Sequence, residues 1–252
     1  FQMVEANEDS KTDEYIPTAE EQLLITKHLG DNAIVDKKYK STVVLSREQA
    51  DKRKSLILEI EYDFQIALQK GDFYLGNAVV NFYLTKLPTS DTDLFINSQA
   101  LAVADLMIND RQCPIGPESF QNQVIPLRMA DLTQGWNTVQ LRYMSPYNKN
   151  RVGLHTFTDS SDQQQYLYSQ FEAFHAFRVF PCFDQPDLKA KMSLIVLCPS
   201  DWRAVSNSIE RRFALREAES AQNGRHILER ADIEWFLNFY DSDNDVAISE
   251  FE

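Results

Sequence analysis

Apolar and polar positions change their period along this 252-residue chain, and the changes mark out its elements. Residues 18–29, TAEEQLLITKHL, open with Thr18 and Glu21 at the three-residue spacing of a capping box, and Gly30 follows Leu29. The pattern predicts a short helix. Ser46 and Gln49 form a second box and predict a helical turn through about Lys54. From Ser55 the period drops to two. In SLILEIEYDFQIAL, residues Leu58, Ile60, Tyr62, Phe64, Ile66 and Leu68 are predicted to share one face, with Glu59, Glu61, Asp63 and Gln65 on the other. Gly71, Asp72 and Gly76 mark a return, and Ala78, Val80, Phe82 and Leu84 alternate again, as in an antiparallel hairpin. Alternating or apolar runs recur at 94–96, 101–108, 123–128, 137–144, 164–172 and 191–198, with Pro114, Gly116, Gly135 and Pro199 as turn residues. The predicted class is all-β, a mainly antiparallel saddle or sandwich with short N-terminal and C-terminal helical segments.

The two ends read differently. Residues 1–16 are polar and acidic and are expected to form a mobile or loosely docked tail. Beyond Asn207, SIERRFALREAESAQ is compatible with helix, Asn223-Gly224 is a break, and LERADIEWFLNFY suits an amphipathic helix or a strand. The expected division is 1–42 as an acidic N-terminal extension with a short helix, 43–208 as one β domain, and 209–252 as a connecting excursion and the start of a further domain.

Composition narrows the partners. A hydrophobic content of 43% with 12% aromatics is enough to fill a core. With 38 acidic and 25 basic residues the net charge is -13, so the surface repels phosphate backbones and anionic lipid. Nucleic acid and membrane are therefore not expected partners. No window approaches 18 uninterrupted apolar residues, and FQMVEANEDSKTDEY is acidic where an import signal is basic or apolar. Cys113, Cys182 and Cys198 are odd in number and scattered, which suits neither a disulfide framework nor a close-spaced thiolate metal site. No Asn-x-Ser/Thr sequon occurs. The expected location is cytoplasmic.

The most individual run is QFEAFHAFRVFPCFDQP, residues 170–186, which sets a glutamate among aromatics. In an extended strand Tyr166, Tyr168, Gln170 and Glu172 project together while Leu167 and Phe171 point the other way, so an aromatic wall leads to a carboxylate. In a partly dry cleft such a carboxylate attracts an ammonium more strongly than it would in bulk water. Residue type alone favours a plainer reading, with Glu172 paired to Arg178 or turned to solvent. Cys182 reads as core and not as a nucleophile, and Asp184 as the closer of an Asx turn.

The run YLYSQFEAFHAFRVFPCFDQPDLKA resembles the amino-terminal β domain of the zinc aminopeptidases typified by aminopeptidase N and the puromycin-sensitive enzyme. LSREQADKRKSLILEIEYDFQIALQKGDFYLGNAVVNFYL, GLHTFTDSSDQQQYLYSQFE and WRAVSNS match in the same order, so the resemblance covers about residues 43–208. It implies a saddle of β-sheets that forms one wall of an active site, with Glu172 taking the α-ammonium of a peptide substrate and Gln170 orienting the first residue. Many members have Pro at the position of Ala173 and a basic or polar residue at that of Phe177. The implied zinc belongs to a His-Glu-x-x-His helix and a distant glutamate, with the motif's glutamate as general base. Here His28, His155, His175 and His226 are followed by Leu, Thr, Ala and Ile, so the zinc is expected in the parent protein and not in this chain, which cannot be active alone. The expected partners are a peptide's amino terminus and a catalytic domain or other protein subunits. The alternative is a catalytically silent, aminopeptidase-derived module kept for structure or interaction in a larger assembly. Asp241, Asp243, Asp245, Ile248 and Glu252 fall at EF-hand spacing, but Val246 stands where the loop needs glycine. Calcium is not expected, and ISEFE is read instead as the opening of a strand.

Overall fold

The computed structural model describes residues 15–37, 45–113, 116, 120, 122–216, 235–237, 239–240 and 245–251. The expected N-terminal tail up to Glu14, His226, Asp241, Asp243 and Glu252 lie outside them. The elements are α1 (Ala19–Leu29), β1 (Ile34–Val35), α2 (Arg47–Leu56), β2 (Ile57–Ala67), β3 (Phe73–Leu84), β4 (Phe95–Asn97), β5 (Ala102–Ile108), β6 (Arg111–Gln112), β7 (Val124–Pro126), β8 (Gly135–Pro146), β9 (Gly153–Thr158), β10 (Gln165–Gln170), β11 (Lys191–Pro199), β12 (Glu210–Arg216) and β13 (Val246–Phe251). Short 3₁₀ turns occupy Met129–Asp131 and Ala176–Arg178, and Trp235–Leu237 are helical. The fold is all-β with short helices near both ends of the described chain.

Both capping boxes form. Thr18 Oγ1 accepts from the Glu21 N–H at 3.2 Å while the Thr18 N–H donates to Glu21 Oε2 at 2.7 Å. Ser46 and Gln49 make the same reciprocal pair at 3.1 and 3.0 Å. Each box satisfies two backbone N–H groups at the helix start.

Among the described residues, nine strands form one sheet in the order β1-β5-β8-β3-β2-β11-β13-β12, with β6 paired to β5. Neighbours are antiparallel except β2 and β11, which run parallel from Glu61–Lys191 to Ala67–Leu197. Two small ribbons, β9–β10 and β4–β7, stand apart from it. Burial alternates along β3 from Asn77 to Leu84: Ala78, Val80, Phe82 and Leu84 are all buried, and they join Ile60, Phe64 and Ile66 of β2 in the main core. The opposite face carries Leu75, Ile195 and Leu197, covered by Ile25 and Leu29 of α1 and by Phe236, Phe239 and Tyr240. Close approach governs one site. A Cβ on Gly76 would lie 2.0 Å from the Tyr143 ring of β8, so only glycine lets that ring lie in the sheet.

Two local expectations are corrected. Leu58 does not join the buried face; it is 64% exposed, because the register with β3 slips between Ile57 and Glu59 and the bulge turns one residue outward. The helix-compatible reading of SIERRFALREAESAQ fails over Glu210–Arg216, which is strand β12 and pairs with β13. Non-local pairing overrides local propensity there. Residues 217–222 of that run lie outside the described set. Residues 248–251 of ISEFE are strand, within β13, which is bonded on its two sides to β11 and β12. Among the described residues no helix is long and apolar enough to cross a membrane.

The run after β10 is built into the core. Phe180 stacks on Phe64 at 4.4 Å between ring centroids, and Phe82 meets Phe183 edge-on at 5.2 Å. The Phe183 N–H donates to the Tyr62 hydroxyl at 3.0 Å. Arg53 of α2 is fully buried beneath these rings, with its guanidinium 4.4 Å from the Phe95 ring centroid and 5.6 Å from that of Phe183. Its Nη2 donates to Asn97 Oδ1 at 3.0 Å. Burial lowers its pKa to about 10, which leaves it a cation at neutral pH, supported by the Nη2 hydrogen bond and the cation–π contacts.

Candidate functional site

The ribbon of β9 and β10 carries the predicted site. Its register sets Tyr166 opposite Phe157, Tyr168 opposite His155 and Gln170 opposite Gly153. Leu167 and Phe171 are half-buried against the main core, while Tyr166 and Tyr168 are 44% and 42% exposed and Gln170 and Glu172 are exposed. The two-residue alternation of a strand with one face on the protein holds from Gln165 to Tyr168 and is lost at the exposed Ser169; the predicted strand face does not extend to Glu172, because β10 ends before it. On the outer face the rings form a row: Phe157 stacks on Tyr166 at 5.5 Å, and His155 meets Tyr168 at 4.9 Å. Gln165 ties the ribbon to the β2–β3 return, its Oε1 accepting from the Gly71 N–H at 3.2 Å and its Nε2 donating to the Gly71 carbonyl at 3.1 Å.

β10 ends at Gln170, and Glu172 stands in the turn that follows. Gln170 Oε1 accepts from the Glu172 N–H at 3.3 Å, which links the two residues directly. The Glu172–Ala173 peptide bond is cis. Among the described residues no ion pair includes Glu172. Of the two plainer readings of the sequence, pairing with Arg178 is not what the geometry gives, while exposure of Glu172 to solvent is. Arg178 donates from Nη1 to Gln99 Oε1 at 3.0 Å and from Nε to His175 Nδ1 at 3.1 Å.

The neighbourhood of the turn holds groups that residue order did not reveal. Asp184 closes no local Asx turn. Its Oδ2 accepts from the Phe177 N–H at 3.0 Å and so caps the 3₁₀ turn seven residues back. Burial raises the Asp184 pKa, and its hydrogen bonds to the Phe177 and Ala176 N–H groups oppose that shift. Cys182 is buried beside it, and desolvation pushes its thiol pKa well up, with Asp184 adding to the rise. That environment disfavours the thiolate and fits a core cysteine. A polar cleft of about 800 Å³, lined by Asp72, Gln99, Tyr147, Lys149 and Arg178 among others, lies next to the turn; Gln170 and Glu172 do not line it.

Metal donors do not converge. Among the described residues no group of three or more His, Cys, Asp or Glu side chains lies close enough to hold a metal ion. His155 sits in the aromatic row, His175 on Arg178, and His28 edge-on to Phe239 at 4.9 Å.

Known proteins match this architecture. Over 167 residues the chain is 34% identical to aminopeptidase N of Streptomyces lividans, covering 65% of this chain and 19% of that protein. Over 155 residues it is 33% identical to aminopeptidase N of Acetobacter pasteurianus, covering 60% of this chain and 43% of that one. The crystal structure of an M1 zinc metallopeptidase from Deinococcus radiodurans superposes with a TM-score of 0.51 over 78% of this chain and 39% of that one; at 12% identity this likeness is one of fold. The chain thus spans about a fifth of the Streptomyces relative and under half of the Acetobacter one. Residues 65–227, which include the β9–β10 ribbon and the turn that bears Glu172, match the peptidase M1 N-terminal domain, and the chain belongs to that family.

Proposed function

We propose that this chain is the substrate-anchoring N-terminal domain of a zinc aminopeptidase that removes amino-terminal residues from peptides. Glu172 receives the substrate's α-ammonium and Gln170 orients its first residue. The observation that carries the reading is an exposed carboxylate, with no ion-pair partner among the described residues, at the end of an aromatic row in an M1 N-terminal domain. An anchor fixed at that point sets how far along the peptide the reacting bond falls, which is what limits a peptidase to the first residue. The described residues do not fit a zinc centre, so zinc is assigned to another part of the parent protein and no chemical step is assigned to this chain. The three cysteines stand as free thiols, which supports a cytoplasmic location.

The test uses the parent protein with a free-amine aminoacyl substrate. Glu172→Gln is expected to lower kcat/KM by about 30-fold or more, the effect of removing one partner of a desolvated charge pair, while stability is unchanged. An unchanged kcat/KM would refute the anchor. The coding sequence beyond Glu252 is expected to specify His-Glu-x-x-His and a later glutamate; a degraded motif would favour a silent structural module instead.

A further inference from the structure

Glu172 lies beyond the last ladder pair of β10, so something other than strand pairing must hold its turn in place. The backbone of the turn is closed by the His175 N–H donating to the Phe171 carbonyl at 3.1 Å and the Arg178 N–H donating to the His175 carbonyl at 3.3 Å. Arg178 then reaches both sides of the site. Its Nε–H donates to His175 Nδ1, and its Nη1–H donates to Gln99, whose own N–H donates to the Phe177 carbonyl at 2.8 Å. Its aliphatic stem lies over Gly153, the residue paired with Gln170; a Cβ on Gly153 would come within 2.8 Å of Arg178 Cβ. One side chain thus touches the strand partner of Gln170 and the turn that bears Glu172.

We propose that His175 and Arg178 are positioning residues, forming an acid-sensitive latch that holds the Phe171–Arg178 turn, and with it Glu172, in the anchoring position. The proposal rests on the anchor reading above. The latch bond requires His175 Nδ1 to be an acceptor, which is the neutral imidazole protonated at Nε2. Protonation of Nδ1 removes the acceptor and sets an imidazolium against the guanidinium at hydrogen-bond distance. Arg178 is the charged group that faces His175. The Asp184 carboxylate is committed to the Phe177 N–H, Glu172 is exposed on the same turn, and across the polar cleft Lys149 and Asp72 pair with each other at 2.9 Å, with Glu20 and Glu21 of α1 beyond. Partial burial first, and Arg178 second, hold the His175 pKa below its usual 6.5. The latch is therefore closed at neutral pH and opens on acidification.

Steady-state kinetics of the parent protein between pH 5 and 8, with a free-amine aminoacyl substrate, test this. The wild type is expected to show KM rising several-fold towards acid with a smaller change in kcat. His175→Asn keeps an oxygen acceptor near the place of Nδ1 and does not titrate. It is expected to hold KM within about twofold at pH 7 and to abolish the acid rise. Arg178→Gln is expected to raise KM about tenfold at every pH, the size of one lost hydrogen bond to a charged donor. Hydrogen exchange of the 171–178 segment, corrected for the intrinsic pH dependence, is expected to lose protection towards acid in the wild type and not in His175→Asn. An acid rise in KM that persists in His175→Asn, or exchange protection independent of pH in the wild type, would overturn the latch. If Glu172→Gln leaves catalysis unchanged, the anchor reading fails on its own, and hydrogen exchange still reports whether the latch exists.

Discussion

The central sheet and the β9–β10 ribbon are built from similar aromatic residues and use them in opposite ways. In the sheet, Phe64, Phe82 and Tyr143 are buried on all sides, and a glycine at position 76 is needed to admit the tyrosine ring. In the ribbon, Phe157, Tyr166 and Tyr168 keep two-fifths of their surface in solvent and touch mainly one another. A ring that is packed on every side contributes stability, while a ring that is packed on one side presents a surface. The comparison separates the part of the molecule that sets its fold from the part that presents an aromatic surface to solvent.

The largest expected effect tests that separation directly. Phe82→Ala should cost about 3–5 kcal/mol in urea unfolding, the usual loss for an aromatic removed from a dry core. Tyr168→Ala should cost under about 1 kcal/mol, as a half-exposed side chain does. Equal losses at the two sites would break the distinction. Next in size is Gly153→Ala. Its φ of +68° and the 2.8 Å approach to Arg178 Cβ both oppose a side chain, and the expected loss is roughly 1–2 kcal/mol, together with a raised KM in the parent protein. A loss of stability without the KM change would make Gly153 part of the scaffold and not of the site.

The smallest effect is on pH. Burial, with Lys27 adding to it, lowers the His28 pKa to about 4. The unfolded chain, titrating near 6.5, binds the proton first, so stability is full above pH 6.5 and declines as the pH falls towards 4. His28→Gln should flatten the Tm profile across that window by a modest amount, since the group is partly exposed to solvent. An unaltered profile would remove His28 from the acid sensitivity.

Local rules were legible in the residues where they acted alone. Thr18 with Glu21, and Ser46 with Gln49, carry their partners three residues away, and both caps form as the spacing predicts. The alternation of β2 is readable from Ile60 onward and fails at Leu58, since a bulge depends on the partner strand as well as on the bulged one. β12 misleads for a similar reason. ERRFALR has no strand signature of its own and is extended because β13 lies beside it. The pair Gln170 and Glu172 was visible through the resemblance; the strand period placed both with Tyr166 and Tyr168, but β10 ends at Gln170 and Glu172 stands in the turn beyond. The supports behind the pair were not. Gln99 meets Arg178 across 79 residues, and Gly153 matters only because a particular side chain crosses it. Such contacts are set by topology and leave no periodic trace.

The place of β13 also orders how the chain can be made. Among the described residues β12 bonds only to β13, and β13 separates it from β11. When a ribosome has released residues up to 216, β12 has no neighbour to join and one side of β11 is an open row of backbone donors and acceptors. Closure waits until Val246–Phe251 emerges and slots between them. A recombinant piece cut at residue 216 would keep that gap permanently, and its bare edge would be a template for pairing between molecules. A piece that keeps this sheet whole therefore runs at least through Phe251, about thirty-five residues beyond the end of β12.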